Sequence, residues 1–512
     1  MRAAVLFVLL LGACSPPVPQ PEGSASDIDP ASVTIAFGGD VNLGRRQNAI
    51  SASDGADRAL GDLSSLREAD LAIVNLESVV SGIGQSGVEK GEDAPFFFRG
   101  RPEMLDVLIA AGVDAVGTAN NHSGDYGPDA LLDQGRLLDA AGVAHAGSGP
   151  DVEAACAPTY LPAAHLTVAL VSIDATMPHF AATDASPGTC HLALEEPQAW
   201  RERMGPILED AHDRAHAVLV AVHWGPNLAA EPSAEKRAVG RLLIELGADV
   251  VLGSSAHVLQ GVEVHEGRPI VHDAGNLLFD SQEGVVDSAL MLLDLDSRGV
   301  RSLRVEPLVT EYGWTRPASP AESGRIVDEV AALSRSLGTE LMGGRLPLDP
   351  PVRAEPEPQP VPQRQPALTP PAADPPPGCL AAEVPAEFAI PPLRLGELTL
   401  LGVRVDPVPA DPGKLVWVES YWRVDSGRLG DRWISPRLEP SGGGGTWRGD
   451  HQPCDWAWPA GRMVPGQIYL DRSALRPRNG AGDELVLRMA VTDGEDTLDV
   501  SEVLARVPMM GE

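Results

Sequence analysis

The sequence predicts an α/β protein followed by a small all-β sandwich, and three features of the chain support this fold class. Between Val33 and about Glu311, short apolar runs alternate with amphipathic helical stretches, which is typical of α/β layers. Between Leu346 and Pro377, proline recurs with Gln, Glu and Ala, a composition that predicts a stiff, extended linker. After the linker, short β-like runs are separated by Gly, Pro and Asp turns, which predicts a β-sandwich.

The beginning of the chain has the pattern of a lipoprotein signal peptide. Arg2 is followed by the apolar run Ala3–Leu11, which is too short to span a bilayer permanently. Small residues precede Cys14, as lipoprotein processing requires. We therefore predict a signal peptide over residues 1–13, a lipidated Cys14, a tether over residues 14–31, and an exported protein anchored by lipid in the bacterial cell envelope. The alternative is an ordinary secretory signal with a chance cysteine.

The charge of the chain restricts the kinds of partner it can bind. There are 39 basic and 72 acidic residues, which gives a net charge of −33. Because a nucleic-acid backbone would be repelled by this charge, the composition argues against nucleic acid as a partner. An acidic polymer would be repelled as well, so a protein that handles one needs a local basic patch or a bound cation.

The predicted α/β domain, residues 32–340, begins with alternating strands and helices. Its buried strands are Val33–Phe37, Leu71–Val74, Asp114–Gly117, Leu166–Ile173, Ala217–Val222 and Val250–Leu252. The helices between them are Pro102–Ala111, Asp129–Ala141, Trp200–His212 and Ala234–Leu246. Gly112 and Gly247 follow two of these helices and favour a left-handed helix end.

The last strands of this domain follow one another without helices, so we expect the sheet system to finish antiparallel. These strands are Pro269–Asp273, Ser288–Asp294 and Val300–Val309, and the helix Ala321–Leu337 closes the domain.

A linker over residues 341–378 and a β-sandwich over residues 379–512 complete the chain. The predicted strands of the sandwich are Leu398–Val405, Leu415–Trp422, Trp433–Leu438, Gln467–Leu470 and Glu484–Val491. The four cysteines after residue 14 are Cys156, Cys190, Cys379 and Cys454, two in each predicted domain. An even number in an exported chain predicts one disulfide per domain.

Polar side chains follow six predicted strands of the α/β domain, where reactive groups of open α/β sheets gather. The segments are Gly39-Asp40-Val41-Asn42, Asn75-Leu76-Glu77, Asn120-Asn121-His122, His223-Trp224-Gly225, Ser255-Ala256-His257 and Ala274-Gly275-Asn276. Carboxylates, amide oxygens and imidazoles bind divalent cations, so the set predicts a site for one or two metal ions. Each segment also has an ordinary alternative, such as a helix N-cap for Asp40 or a turn for the Asn-His pair.

The order of these segments resembles that of the CapA-type capsule synthesis family, which is related in fold to calcineurin-like metallophosphatases. The matching motifs are Gly39-Asp40-Val41-Asn42-Leu43-Gly44-Arg45, Asn75-Leu76-Glu77, Asn120-Asn121-His122 with Asp125-Tyr126-Gly127, His223-Trp224-Gly225, His257-Val258-Leu259-Gln260 and Gly275-Asn276-Leu277-Leu278-Phe279-Asp280. The resemblance covers roughly Val33 to Glu311 and implies a four-layer α-β-β-α sandwich.

The resemblance also implies a set of functional residues. The candidate ligands for Mn²⁺, Zn²⁺ or Mg²⁺ are Asp40, Glu77, Asn121, His223 and His257. The candidate catalytic acid or transition-state donor is His122. The candidate substrate-binding residues are Arg45, Arg99 and Asn276. For Arg99 the alternative is a strand that packs the aromatic run before it against a neighbouring loop.

Three positions depart from the family pattern. Ser255 stands where family members usually carry His, and Asn227 where they usually carry Glu. Asn42 stands where true metallophosphatases have a second His. Because serine is a far poorer ligand for a dication than imidazole, the presence of a second metal ion is in question.

Two classes of function therefore remain open. The first is a metallophosphoesterase-like hydrolase that acts on an anionic capsule polymer, such as poly-γ-glutamate, or on its precursor. The second is a non-catalytic factor for polymer binding, export or anchoring, with a degenerate metal site. Either role implies contact with a capsule synthesis complex and, through Cys14, with a membrane.

Two further groups of residues have competing interpretations. His272 lies in an apolar strand, where it is either a core histidine or a residue that orients the metal ligands near Asn276. Trp456 and Trp458 either stack on a glycan or are aromatics that belong to the core or shield the disulfide beside Cys454.

Overall fold

The computed structural model describes residues 32–92, 95–280, 285–351, 356–357, 366–411, 413–425, 429–443, 445–477, 482–494 and 496–510. The predicted signal peptide, the lipidated Cys14 and the tether lie outside the described residues. Within the described part of the chain, no helix is both long enough and apolar enough to cross a membrane.

The α/β region alternates strands and helices as far as residue 347. The strands are β1 Val33–Val41, β2 Leu71–Leu76, β3 Val79–Val80, β4 Arg99–Gly100, β5 Ala115–Gly117, β6 Ala144–Ala146, β7 Ser148–Gly149, β8 Thr159–Ala163, β9 Leu166–Asp174, β10 Gly188–Thr189, β11 Ala217–His223, β12 Val250–Ser254, β13 Val262–His265, β14 Arg268–Val271, β15 Asn276–Leu278, β16 Val286–Asp296, β17 Gly299–Glu311, β18 Trp314–Pro317 and β19 Arg345–Pro347. The helices are α1 Gln47–Asp54, α2 Ser64–Glu68, α3 Leu105–Ala111, α4 Pro128–Ala141, α5 Val152–Cys156, α6 Pro197–Arg214, α7 Ala234–Glu245 and α8 Pro320–Ser336.

Two large sheets organise these strands. The first has the order β18-β17-β16-β1-β2-β5-β6, with β15 beside β1 and β19 beside β17. The second has the order β13-β14-β12-β11-β9-β8. The central neighbours of each sheet run parallel, whereas β16, β17 and β18 are antiparallel, so the predicted antiparallel finish is confirmed.

Alternate side chains of the strands enter different cores, as the twofold periodicity of a strand requires. Ile35 and Phe37 of β1 share one buried cluster with Leu170 of β9 and Leu219 of β11, so this core joins the two sheets. The other face of the first sheet packs on α3, and the other face of the second sheet packs on α6 and α7. The predicted α/β class is confirmed.

The ends of the helices follow local sequence signals. Gly112 after α3 and Gly247 after α7 have positive φ angles of 78° and 116°, as predicted. Ser233 and Ser319 cap the first turns of α7 and α8 with their side chains. The predicted helix Pro102–Ala111 begins later than expected, because its first three residues form a 3₁₀ turn.

The sheet extends past the predicted domain boundary at residue 340. Strand β19 pairs with β17, and Leu346 and Leu348 are buried in the core between the sheets. The first residues of the predicted linker therefore belong to the α/β region, because alternate leucines there supply an apolar face.

The remaining strands form two five-stranded sheets. They are β20 Leu380–Ala381, β21 Ala389–Leu395, β22 Leu398–Asp406, β23 Val416–Val424, β24 Trp433–Pro440, β25 Trp447–Arg448, β26 Ile468–Leu475, β27 Glu484–Thr492, β28 Thr497–Val500 and β29 Ala505–Pro508. The sheet orders are β20-β26-β23-β22-β21 and β25-β24-β27-β28, with β29 beside β27. Leu400 and Trp422 of the first sheet share a core with Ile434 and Leu487 of the second.

Both predicted disulfides are present. Cys156 at the end of α5 bonds to Cys190, and Cys379 bonds to Cys454. Each bond lies within one of the two regions, so the cysteine count correctly predicted their distribution.

Candidate functional site

The predicted site residues meet where strands of both sheets end. Asp40 lies near the end of β1 and Glu77 follows β2 directly. His223 ends β11 in the other sheet, and His257 lies in the loop after β12. Because the carboxyl ends of parallel strands share one edge of a sheet, residues distant in sequence come together here.

Asp40, Glu77 and His257 form the centre of the site. One ligand atom from each lies within 4.8 Å of the others. The Nδ1 atom of His257 is 3.3 Å from Oδ2 of Asp40 and 3.8 Å from Oε2 of Glu77. Two carboxylates and an imidazole at this spacing are suitable donors for a divalent metal ion.

Glu77 is the clearest sign that this group fits a cation. Both of its carboxylate oxygens are buried and have no hydrogen-bond partner among the described residues. Burial, together with the charge of Asp40, raises the pKa of Glu77 well above its ordinary value. A buried carboxyl group without partners is costly, and a bound cation would satisfy it.

Asp40 accepts hydrogen bonds from two neutral donors and also contacts His257. Nδ2 of Asn75 donates to Oδ1 at 2.7 Å, and the backbone N–H of Ser255 donates to Oδ2 at 3.1 Å. Burial raises the pKa of Asp40, but the hydrogen bond and charge of His257 outweigh it and lower the pKa below its ordinary value. Asp40 is therefore ionised at neutral pH.

Ser255 acts through its backbone. Its φ angle is 101°, and that of His257 is 60°, so the loop after β12 turns through two left-handed residues. This turn directs the N–H of Ser255 to Asp40 and the ring of His257 to the cluster. The position that departs from the family pattern thus orients a candidate ligand with its main chain.

His223 and Asn121 complete the predicted ligand set. Nε2 of His223 is 3.0 Å from Oδ1 of Asn121 and 3.8 Å from Oε1 of Glu77, and Nδ1 is 3.8 Å from Oδ1 of Asp40. Burial lowers the pKa of His223 to about 3, so its ring is neutral, which is the form that binds metals. The structure brings all five predicted ligands together.

His122 lies at the edge of this group. Its Nδ1 atom is 2.6 Å from Oδ2 of Asp125, and its Nε2 atom is 3.9 Å from Oε1 of Glu77. Burial lowers the pKa of His122 to about 4, so the ring is neutral at pH 7. In the neutral ring the proton lies on Nδ1, which donates it to Asp125, so Nε2 carries a lone pair. The predicted role of a catalytic acid would require a proton on Nε2.

A loop before β4 supports His122. The ring of Phe98 stacks on the imidazole with ring centroids 3.8 Å apart, and the backbone N–H of Phe98 donates to Asp125. The buried Nζ atom of Lys90 donates to the same carboxylate at 2.7 Å. Sequence reasoning missed Lys90, because a lone lysine in a loop carries no motif.

The predicted substrate-binding residues have different surroundings. Arg45 pairs with Asp280 at 2.7 Å and keeps part of its side chain exposed. Oδ1 of Asn276 is 2.9 Å from Nδ1 of His257, so Asn276 orients a candidate ligand. Arg99 is buried and donates to the carbonyl oxygens of residues 83 and 84, which corresponds to the packing alternative for this residue.

The other positions discussed above lie apart from this cluster or pack structurally. Asn227 is exposed, and the side chain of Asn42 accepts a hydrogen bond from a backbone N–H two residues on. His272 is buried with Nε2 3.1 Å from Glu263, as expected for a core histidine. Trp456 and Trp458 are only 6% and 3% exposed, which favours the core interpretation for both.

The chain is similar in sequence to proteins of capsule synthesis. The sequence model described as bacterial capsule synthesis protein PGA_cap matches residues 34–281, which contain every candidate ligand. The capsule biosynthesis protein CapA of Bacillus anthracis is 26% identical over 292 residues, which cover 56% of this chain and 70% of that protein.

Two further relatives have comparable coverage. The PGA biosynthesis protein CapA of Bacillus subtilis is 27% identical over 284 residues, 54% of this chain and 71% of that protein. A probable polyglutamine synthesis accessory protein of Mycobacterium tuberculosis is 26% identical over 293 residues, 53% of this chain and 74% of that protein. On the basis of these matches and of its strand-end motifs, the α/β region of the chain, over residues 34–281, belongs to the CapA-type bacterial capsule synthesis protein family.

Proposed function

We propose that this protein acts in the biosynthesis of a bacterial capsule polymer, poly-γ-glutamate or a related exopolymer, as a metal-dependent hydrolase of the polymer or its precursor. The names of its relatives support the biosynthetic role. The arrangement of Asp40, Glu77 and His257 supports the metal-dependent reaction. The single observation that carries the proposal is the pair of buried, unpartnered carboxylate oxygens of Glu77.

Five residues would hold the metal ion: Asp40, Glu77, Asn121, His223 and His257. A bound dication would supply Lewis acidity and activate water for attack at a phosphoryl or acyl centre. His122 is oriented by Asp125 and Phe98, so that its Nε2 atom faces the cluster and can accept or return a proton. The partly exposed Arg45 lies at the same rim and can contact an anionic substrate.

The metal content of the purified protein tests this proposal. After chelation, the protein is reconstituted with Mn²⁺ or Zn²⁺, and bound metal is measured by atomic emission. We expect stoichiometric metal in the wild type and none in Glu77→Gln, because the amide removes the charge without changing the shape. Asp249→Asn is the matched control, since Asp249 is a buried carboxylate directly before β12 and accepts a hydrogen bond from the backbone N–H of Val218. The proposal is contradicted if Glu77→Gln keeps its metal as Asp249→Asn does, or if the wild type binds no metal.

The second candidate function is a non-catalytic polymer-binding, export or anchoring factor. Two observations favour it: Ser255 contributes only a backbone N–H to the cluster, and Asn227 is exposed. Both positions would carry side-chain ligands in the usual family pattern, so a second metal ion has fewer donors here. Protein that binds one metal ion tightly but does not cleave poly-γ-glutamate or a phosphodiester substrate would favour this alternative.

We further propose that the chain is organised as two domains joined by a linker. The two sheets and their flanking helices are assigned to a four-layer α-β-β-α sandwich, followed by a proline-rich linker to residue 378 and a β-sandwich from residue 379. The side-chain clusters between and outside the sheets support this assignment.

Lipidation of Cys14 would keep the protein in the cell envelope. A Cys14→Ser variant is therefore expected to leave the membrane fraction of cells that express the full chain. The wild type, fractionated in parallel, should remain with the membranes until detergent is added. Retention of the variant in the membrane fraction contradicts lipid anchoring.

A further inference from the structure

A large cleft lies between the α/β region and the C-terminal sheets. Its volume is about 940 Å³. The loop before β4 contributes Phe96 and Phe97 to one side, and β23 and β25 contribute Trp417 and Trp447 to the other. None of these four residues belongs to the metal-ligand cluster described above.

The aromatic residues of the cleft keep accessible ring surface. Phe96 is 63% exposed, and Phe97, Trp417 and Trp447 are half-buried. The rings of Phe97 and Trp417 lie 6.1 Å apart across the boundary between the two regions. Large apolar rings in a concave surface indicate a ligand with flat apolar faces.

Two arginines give the same cleft a positive charge. Arg448 and Arg476 are exposed, and neither forms an ion pair with any described residue. Arg506, another exposed arginine of the C-terminal region, is paired with Glu484. In a chain with a net charge of −33, unpaired guanidinium groups in one cleft form the local basic patch that an acidic polymer needs.

Two acidic residues, Asp450 and Asp455, line the cleft as well. The carboxylate of Asp450 accepts a hydrogen bond from the hydroxyl of Ser435. Burial raises the pKa of Asp455 above its ordinary value. Among the described residues, neither carboxylate forms an ion pair with Arg448 or Arg476, so both guanidinium groups can pair with an anionic ligand.

The cleft also leads to the candidate metal site. The rings of Phe96 and Phe98 are 6.4 Å apart, and Phe98 stacks on His122. The guanidinium of Arg45 lies 5.9 Å from the ring of Phe96. A chain that lies in the cleft would thus pass from the C-terminal sheets over Phe96 to the metal ligands.

The proline-rich segment of this chain does not fill the cleft with its described residues. The backbone of residue 367 bonds to Ala141 at the end of α4, and that of Thr369 bonds to Asp106 in α3. Neither Ala141 nor Asp106 lines the cleft. These contacts place residues 367 and 369 of the segment on α3 and α4, outside the cleft.

We propose that the cleft binds an acidic polysaccharide. Its pyranose rings would stack on Phe96 and Trp447, and its uronate carboxylates would pair with Arg448 and Arg476. A γ-linked polyglutamate chain carries carboxylates but no ring faces, so the exposed aromatic rings favour the glycan. This assignment rests on the proposed function, according to which the protein acts on a polymer, and deepens it by naming the class of that polymer.

Calorimetric titration of the full chain, after chelation of metal, tests the assignment. The probes are a short oligogalacturonate, a neutral cello-oligosaccharide and a γ-linked oligoglutamate. Phe96→Ala and Arg448→Ala change exposed side chains, so both variants should keep the wild-type melting temperature. We expect each to weaken the binding of oligogalacturonate about tenfold.

Arg394→Ala is the matched control. Arg394 is an exposed arginine on β21, far from the cleft. In the sheet it lies beside Thr399, which in turn lies beside Arg423. Arg423 is near one end of β23, whereas the cleft residue Trp417 is near the other end. We expect this variant to bind oligogalacturonate as the wild type does.

Several results would overturn the assignment. These are no binding of oligogalacturonate, equal binding of the neutral sugar, tighter binding of oligoglutamate, or unchanged affinity in both cleft variants. Because these titrations need neither metal nor turnover, failure of the cleft is distinguishable from failure of the metal site, which the Glu77→Gln variant tests separately.

Discussion

At the scale of single residues, buried polar side chains set the chemistry of this protein. Glu77 has two buried oxygens without partners, whereas Asp40 accepts hydrogen bonds from Asn75 and Ser255. Strand-end motifs were sufficient to select both acids as candidate ligands. Their different needs for a cation were not predictable, because hydrogen-bond satisfaction depends on neighbours from other strands.

His451 provides a second example, in the C-terminal sheets. Its Nδ1 atom faces the carbonyl oxygen of Gly449, and its Nε2 atom is 2.9 Å from Asp471. Since both ring nitrogens face acceptors, only the doubly protonated ring donates to both. Although burial lowers the pKa of His451, the charge of Asp471 outweighs it and raises the pKa to about 9.

The stability of the protein should therefore depend on pH through His451. The folded-state pKa lies above the unfolded value of about 6.5, so the stabilisation is complete below pH 6.5 and is lost as the pH rises through about 9. We expect the free energy of unfolding to fall by about 3 kcal/mol over this window in the wild type and to change much less in His451→Gln. Urea unfolding followed by tryptophan fluorescence measures the difference, and equal pH dependence in the two proteins would contradict it.

At the scale of the elements, local signals predicted the long helices and strands well. The Gly112 helix end and the Ser319 capping box lie where their residue types favour them. Two-residue strands such as β3 and β7 were not predicted, because so few residues show no periodicity. Close contacts between strands could not be predicted from the sequence either. The contact at Gly39 is an example.

The contact between β1 and β15 leaves no space for a side chain at Gly39. A Cβ atom there would lie 1.8 Å from the carbonyl oxygen of Gly275, whose backbone is bonded to Asp40. We expect Gly39→Ala to lower the free energy of unfolding by about 3 kcal/mol or more and to displace the candidate ligand Asp40. Chemical denaturation measures the stability of the variant.

Gly324→Ala is the control for this substitution. Gly324 lies in α8, and nothing is within 4 Å of the position of its Cβ. This variant should be more stable than the wild type by about 0.5–1 kcal/mol, because alanine favours a helix. Similar effects of the two substitutions would show that the close contact of β1 and β15 does not constrain the fold.

At the scale of the whole molecule, the two regions are joined directly after β4, the strand that follows the loop supporting His122. Arg101 is 2% exposed, and its guanidinium donates to the side chain of Gln452 and to the backbone of Asn48. Glu103 forms an ion pair with Arg462 at 2.9 Å. The C-terminal sheets therefore stabilise the segment that carries Phe98.

Removal of Arg101 should weaken this junction. In Arg101→Met, the oxygens of Gln452 and Asn48 lose a buried charged donor, at a cost of about 3 kcal/mol. We expect calorimetry of Arg101→Met to show separate unfolding transitions for the α/β region and the C-terminal sheets, whereas the wild type unfolds in one merged transition. The control Arg506→Met removes an arginine with a 63% exposed side chain from a surface ion pair, so its effect should stay below about 1 kcal/mol. Identical melting profiles for both variants would contradict a junction that depends on Arg101.

Local pattern was sufficient for the alternation of strands and helices, the six strand-end segments and the distribution of the disulfides. These features depend on periodicity, caps and residue type within a few positions. The tertiary structure alone decided that Ser255 acts through its backbone, that Lys90 supports Asp125, and that Arg99 packs internally. It also brought Phe96 and Arg448 to one cleft, because contacts between residues hundreds of positions apart depend on how the sheets pack.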